Sequence, residues 1–157
     1  MIDNYIHNLS NGLRLGQRAA IDGRFFSVGL IESLNTAGIL ELHFKSPLES
    51  RVYTTVDITS ESGASFELFE GATLTSGDII TPFQHNRNSS NTAKTTFSKN
   101  LVISDDGTKI NNRPSTGTKD SNAGGKILVL KFDTEYILRV TSQSNANICE
   151  IQVTIVE

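Results

Sequence analysis

Residues 51–71 read RVYTTVDITSESGASFELFEG. Between residues 52 and 58 the side chains alternate, so Val52, Val56 and Ile58 share one face while Tyr, Thr and Asp side chains take the other. A period of two is typical of a strand with one buried face. Residues 60–63, SESG, interrupt the pattern with turn formers, and residues 66–69 then resume it. Two such runs joined by a short connection that contains Gly predict an antiparallel hairpin.

The same alternation recurs along most of the chain, at residues 40–44, 136–141 and 149–155. The apolar run ILVL within residues 126–132 predicts a strand covered on both faces. The sequence DDG at residues 105–107 predicts a hairpin turn. Roughly eight or nine short strands are expected, and no long helix. We therefore expect an all-β protein, an antiparallel, jelly-roll-like β-sandwich with an N-terminal arm.

The first 35 residues lack this regularity. They predict an N-terminal arm at residues 1–35, and residues 36–157 then form the sandwich domain. Two placements of the arm are compatible with the sequence: it packs on its own sandwich, or it reaches a neighbouring subunit. In the second case removal of residues 1–35 leaves the sandwich folded. The apolar residues that we expect to contact a partner protein or another subunit are Leu13, Leu15, Phe25, Phe26 and Leu30.

Composition excludes several classes of function. The net charge is −3 and there is no basic tract, so direct binding to nucleic acid is not expected. No apolar run is long enough to span a membrane, and no secretory signal is expected at the N-terminus. Cys149 is the single cysteine, which excludes an internal disulfide and predicts a small buried side chain on a strand.

The polar segment at residues 111–125 is long for a compact domain, and its role stays open.

The chain shows no recognisable catalytic or metal-binding motif. His7, His43 and His85 do not lie at metal-ligand spacing, and His43 is expected to face solvent from a strand. Glu67, Glu70 and Asp78 are carboxylates without a supporting glycosidase motif, since any acidic strand edge looks the same. We expect neither an enzyme nor a bound cofactor or metal.

Three motifs occur in a characteristic order. They are FELFEGAT at residues 66–73, TPF leading into NRNSSNT at residues 81–92, and FDTEYILRVT at residues 132–141. In this order the chain resembles a group of small head virion proteins of tailed bacteriophages. The resemblance implies a capsid decoration, or cement, protein that binds the outer face of the shell. Its implied partner is the major capsid protein, its copies associate, with a trimer favoured, and it resides on the virion after assembly in the host cytoplasm.

The loop at Asn86, Arg87 and Asn88 offers donors and acceptors at successive positions. We expect it to brace the fold through buried hydrogen bonds, with Arg87 paired to a carboxylate; a direct capsid contact is the alternative.

A second function is also considered, a carbohydrate- or receptor-binding module of a phage fibre or tail. The chain has no Trp and three Tyr, which disfavours a sugar-stacking site, although Tyr53 and Tyr136 are candidates for one.

Overall fold

The computed structural model of the chain describes residues 17–115, 121–122 and 127–157. Leu13 and Leu15 lie outside these residues. A short helical turn at residues 17–21 precedes the first strand. The strands are β1 Phe25–Leu34, β2 Ile39–Lys45, β3 Tyr53–Ser60, β4 Ala64–Glu70, β5 Thr73–Ile80, β6 Phe83–Gln84, β7 Thr96–Asp105, β8 Thr108–Ser115, β9 Ser121–Asn122, β10 Leu128–Val129, β11 Glu135–Ser142 and β12 Asn147–Val156.

These strands form two six-stranded antiparallel sheets. Sheet A has the order β10-β3-β12-β1-β6, with β9 also paired to β3, and sheet B has the order β5-β7-β2-β11-β4-β8. The pairs β1·β12, β2·β11, β3·β10 and β4·β8 join the first half of the chain to the second half in reverse order. This is a two-stranded ribbon wound into a sandwich, the arrangement of an eight-stranded jelly roll. The all-β sandwich predicted from the sequence is confirmed, and β5, β6 and β7 are inserted between β4 and β8.

The predicted hairpin at residues 51–71 is wrong, although both of its strands exist. Strand β3 lies in sheet A between β12 and β10, whereas β4 lies in sheet B between β11 and β8. Residues 61–63 therefore cross from one sheet to the other. Each strand keeps the predicted apolar face, because Ile58 and Phe66 both point into the core between the sheets. Alternation reports which face is buried, but it carries no information about which strand is the partner.

The predicted boundary between arm and sandwich at residue 35 also differs from the structure. Strand β1 pairs with β12 along its whole length, from Phe25 opposite Val156 to Leu34 opposite Asn147. Phe26 and Val28 are 3% and 4% exposed within the core. Residues 25–34 are therefore part of the sandwich, because their apolar side chains complete the inner face of sheet A.

A second, smaller core lies on the outer side of sheet B. Strand β7 pairs with β2 only through residues 96–98. The ribbon formed by β5 and β7 then places Leu101 and Ile103 against Ile137, which is fully buried on the side of β11 opposite Leu138. The outer face of sheet B is thus covered over this area, whereas the outer face of sheet A carries exposed side chains.

Three smaller predictions are corrected. The ILVL run contains only the two-residue edge strand β10, and Val129 is 57% exposed, so this segment is not covered on both faces. Residues 105–107 connect β7 to β8, which lie apart in sheet B, so they do not close a hairpin. His43 is 5% exposed because β7 covers it, with Ser98 Oγ 3.3 Å from its Nδ1. Cys149 is buried, as expected, and burial raises the pKa of its thiol.

Candidate binding surface

A row of mostly apolar side chains crosses the outer face of sheet A at one end. Phe25 on β1 lies opposite Val156 on β12, Val156 lies opposite Tyr53 on β3, and Tyr53 lies opposite Val129 on β10. Tyr53 is 42% exposed, and Phe25 and Val156 are partly exposed. We call these four residues the cross-sheet row. Apolar side chains aligned across neighbouring strands of an open sheet face are typical of a surface that a partner covers.

An aromatic cluster extends the cross-sheet row at β6. The ring of His85 lies edge-on to Phe25 at 4.5 Å and to Phe83 at 5.3 Å between centroids. Its Nε2 lies 3.0 Å from Ser27 Oγ, and the backbone N–H of His85 donates to the carbonyl of Phe25 at 3.1 Å. The guanidinium of Arg87 lies over the Phe83 ring, 5.1 Å from its centroid. The row and this cluster together reach across five strands, a span of about 19 Å at the usual strand spacing.

The polar loop after β6 fixes the segment that leads into β1. Asn86 Nδ2 donates to the Ile21 carbonyl at 2.6 Å, and Asn91 Nδ2 donates to the Asp22 carbonyl at 3.0 Å. Gly23 has a φ of +69°, and a side chain there would collide with Ser89. Both the positive φ and the collision with Ser89 disfavour any residue other than glycine at position 23. The loop therefore binds the turn at residues 21–23 to the β6 edge of sheet A.

Arg87 does not occupy the buried position that the sequence suggested. Its side chain is exposed, and no carboxylate of a described residue lies within ion-pair distance. Asn86 supplies the internal contact, since its Oδ1 also accepts from the Asn88 N–H at 3.0 Å. The contact with the Phe83 ring does not use the N–H groups of the guanidinium as donors to an oxygen atom.

The structure separates the predicted contact residues. Phe25 belongs to the cross-sheet row and meets the loop of Arg87 through His85. Phe26 lies in the core, and Leu30 is partly buried against it, so neither is available for a contact through the sheet face. Tyr53 was considered only as a sugar-stacking candidate and Val129 was missed, since their adjacency exists only after β3 and β10 pair. The only local signal was an aromatic residue on the outward side of the alternating segment at residues 52–58.

The carboxylates that might serve catalysis each have their own partner. Glu67 pairs with Lys109, Glu70 pairs with Lys131, and Asp78 accepts from Asn100 at 2.7 Å. Burial is the main cause that raises the pKa of Tyr136 to about 12, and its hydroxyl accepts from the Lys131 N–H at 2.9 Å. Among the described residues, no group of three or more His, Cys, Asp or Glu side chains is arranged to hold a metal ion.

No protein-family model matches the chain, and no curated protein matches it. A solved structure titled "Crystal structure of PirA" superposes with a TM-score of 0.29 and 13% sequence identity, covering 80% of this chain and 90% of that chain. A second, "Structure of Eiger TNF from S. frugiperda", superposes with a TM-score of 0.13 and 10% identity, covering 76% and 92% of the two chains. Both scores are too low to carry an argument about function. Within the described residues, no helix is both long and apolar enough to cross a membrane.

Proposed function

We propose that this protein is a bacteriophage capsid decoration, or cement, protein that binds the outer surface of the head and stabilises it. The proposal combines the resemblance of three sequence motifs to small head virion proteins with the cross-sheet row. In this reading the major capsid protein covers the row. Copies of the decoration protein associate, with a trimer favoured, so that many weak contacts act together on the shell.

The cross-sheet row is the observation that carries this proposal. Tyr53 and Val129, 42% and 57% exposed, lie side by side on the outer face of sheet A, in one row with Val156 and Phe25. Burial of apolar area against a partner contributes about 25 cal/mol per Å², which favours association through this end of sheet A. Aromatic residues are also enriched at the centre of protein interfaces. The described residues offer no comparable set of groups for a covalent reaction.

Reconstitution on empty heads tests the proposal. Heads are purified from a mutant phage from which the gene for this protein has been deleted, and the purified protein is added to them. We expect saturable co-sedimentation, added density on the outer surface in cryo-electron microscopy, and a higher temperature of head disruption. A Tyr53→Ser/Val129→Ser double variant is expected to bind about tenfold or more weakly, while Ile79→Ser, which changes an exposed residue on β5, binds normally. Heads that take up no protein contradict the proposal.

A carbohydrate- or receptor-binding module of a phage fibre or tail is the second candidate. It is favoured by the exposed rings at the β6 end, where Phe83 is 52% exposed beside His85. Tyr136 is excluded as a stacking residue because it is 2% exposed and packs on Phe44 at 5.2 Å between ring centroids. A glycan array probed with the wild type and with Phe83→Ser separates the two functions. Glycan binding that Phe83→Ser abolishes, together with absent head binding, favours this second function.

A further inference from the structure

Arg87 places a positive charge at the β6 end of the cross-sheet row, where a bound partner would contact it. Arg87 is exposed, lies over the Phe83 ring, and has no carboxylate of a described residue within ion-pair distance. Arg139, on the opposite sheet, is already bound by Asp106 and Glu41. A guanidinium that lies over an aromatic ring still presents a fork of N–H donors, which matches the two oxygens of a carboxylate. A partner segment that contacts the Arg87 end of the row is therefore expected to carry an acidic side chain.

The shape of the apolar surface restricts the partner further. In the neighbouring row along the same strands, Ser27 lies opposite Thr154, and Thr154 lies opposite Thr55. Over β1, β12 and β3 the apolar row is thus one residue wide and is bordered on one side by hydroxyl groups, with the strand ends on the other. The row and the aromatic cluster at β6 together span about 19 Å, which equals the length of about six residues of extended chain at the usual rise per residue. A narrow surface of this length fits an extended segment lying across the strands better than a flat domain face.

We propose that the cross-sheet row and Arg87 bind an extended protein segment of about six residues, with an Asp or Glu at the Arg87 end and apolar side chains along the row. The acidic residue pairs with the Arg87 guanidinium above Phe83. The apolar residues lie against Phe25, Tyr53 and Val129. The assignment of this segment to a capsid protein rests on the proposed function, but the binding chemistry does not.

A random peptide library displayed on ribosomes and selected against the full-length protein tests this inference without heads. We expect enrichment of peptides with an Asp or Glu followed by alternating or consecutive apolar residues. Fluorescence polarisation of the best peptide is expected to show about tenfold weaker binding to Arg87→Gln, and a similar loss for Tyr53→Ser. Lys99→Gln, which removes an exposed cation from β7, serves as the matched control and leaves binding unchanged. Raising the salt from about 0.1 M to about 1 M weakens the wild type more than Arg87→Gln, because only the wild type carries the ion pair.

Three outcomes overturn the inference: no peptide is enriched, the enriched peptides lack acidic residues, or Arg87→Gln binds them as the wild type does. Preferential, Arg87-dependent binding of acidic glycans also overturns it, because the occupant is then a polysaccharide. The result is separable from the head-binding experiment. Peptide binding without head binding contradicts only the decoration function. Head binding that is insensitive to Arg87→Gln, with no acidic peptide enriched, contradicts only the inference about the partner.

Discussion

The Arg139 guanidinium donates to both carboxylate oxygens of Asp106, at 2.9 and 2.6 Å, and its Nε donates to Glu41 at 2.5 Å. Asp106 lies in the connection between β7 and β8, whereas Arg139 is on β11, between β2 and β4. The ion pair therefore fastens the connection across sheet B, with the guanidinium 4.9 Å from the ring centroid of Phe69. The hydrogen bonds to Arg139 hold the pKa of Asp106 below its ordinary value.

Neutralising this carboxylate is expected to destabilise the fold modestly. Asp106→Asn removes one charge of a bidentate pair, but the Asp106 side chain is 42% exposed and solvent screens the interaction. We expect a loss of about 1 kcal/mol in the free energy of unfolding. Urea titration followed by circular dichroism measures this, with Glu49→Gln, an exposed acid-to-amide change, as the control. Equal effects of the two substitutions would show that the Arg139 pair contributes nothing specific.

Acidification is expected to destabilise the protein through His43. Burial is the main cause that lowers the pKa of His43 from 6.5, against the opposing effect of Glu135, whose Oε2 lies 3.6 Å from Nε2; nearby Lys45 lowers it further. The unfolded chain then binds a proton at a higher pH than the folded protein does. Stability from this residue is complete above about pH 6.5 and decreases as the pH falls through that value toward the lower folded-state pKa.

Denaturant titrations between about pH 7.5 and pH 5 measure this dependence. His43→Gln is expected to flatten the decrease in the free energy of unfolding on acidification. A slope in His43→Gln equal to that of the wild type is the result that contradicts the assignment.

The crossing from sheet A to sheet B depends on one buried amide. Asn147 is fully buried, its Oδ1 accepts from the Ser62 N–H at 2.8 Å, and its Nδ2 donates to Ser142 Oγ at 2.9 Å. Asn147→Ala leaves these groups without partners, which is expected to cost about 2–3 kcal/mol of unfolding free energy. Asn145→Ala removes an exposed contact to Thr36 instead and is expected to cost about 1 kcal/mol or less. Thermal and urea unfolding of the two variants compares them, and similar losses refute the role given to Asn147.

Two truncations are expected to behave differently. Removal of residues 1–16 leaves every described strand in place, so the shortened chain is expected to unfold cooperatively. Removal of residues 1–34 deletes β1, which lies between β12 and β6 and supplies Phe26 and Val28 to the core, so this chain is not expected to fold. Dispersion in a two-dimensional NMR spectrum distinguishes the states. If the chain lacking residues 1–34 folds, the boundary predicted from the sequence, with an arm that ends at residue 35, is correct.

The shorter truncation also tests Leu13 and Leu15, which stay predictions as shell or subunit contacts. If they make such contacts, the chain without residues 1–16 loses affinity for heads while its melting temperature changes little. If head binding is unchanged, attachment depends on the described part of the chain, where the cross-sheet row is the candidate surface.

The sequence by itself determined that the protein is an all-β sandwich and which side of each regular strand is buried. Both follow from a local periodicity, because successive side chains of a strand point to opposite faces whatever the strand pairs with. It failed at β1, where residues 25–34 lack clean alternation, and at residues 126–132, where apolar composition suggested a central strand but an edge strand formed.

Only the tertiary structure decided which strands are neighbours. The connection at residues 61–63 is short and contains Gly, yet it crosses between sheets, because β3 and β4 each pair with strands from the other end of the chain. The same long-range pairing brings Phe25, Val156, Tyr53 and Val129 into one row. No local pattern groups these four residues into one surface, since their proximity depends on backbone hydrogen bonds between segments that are far apart in sequence.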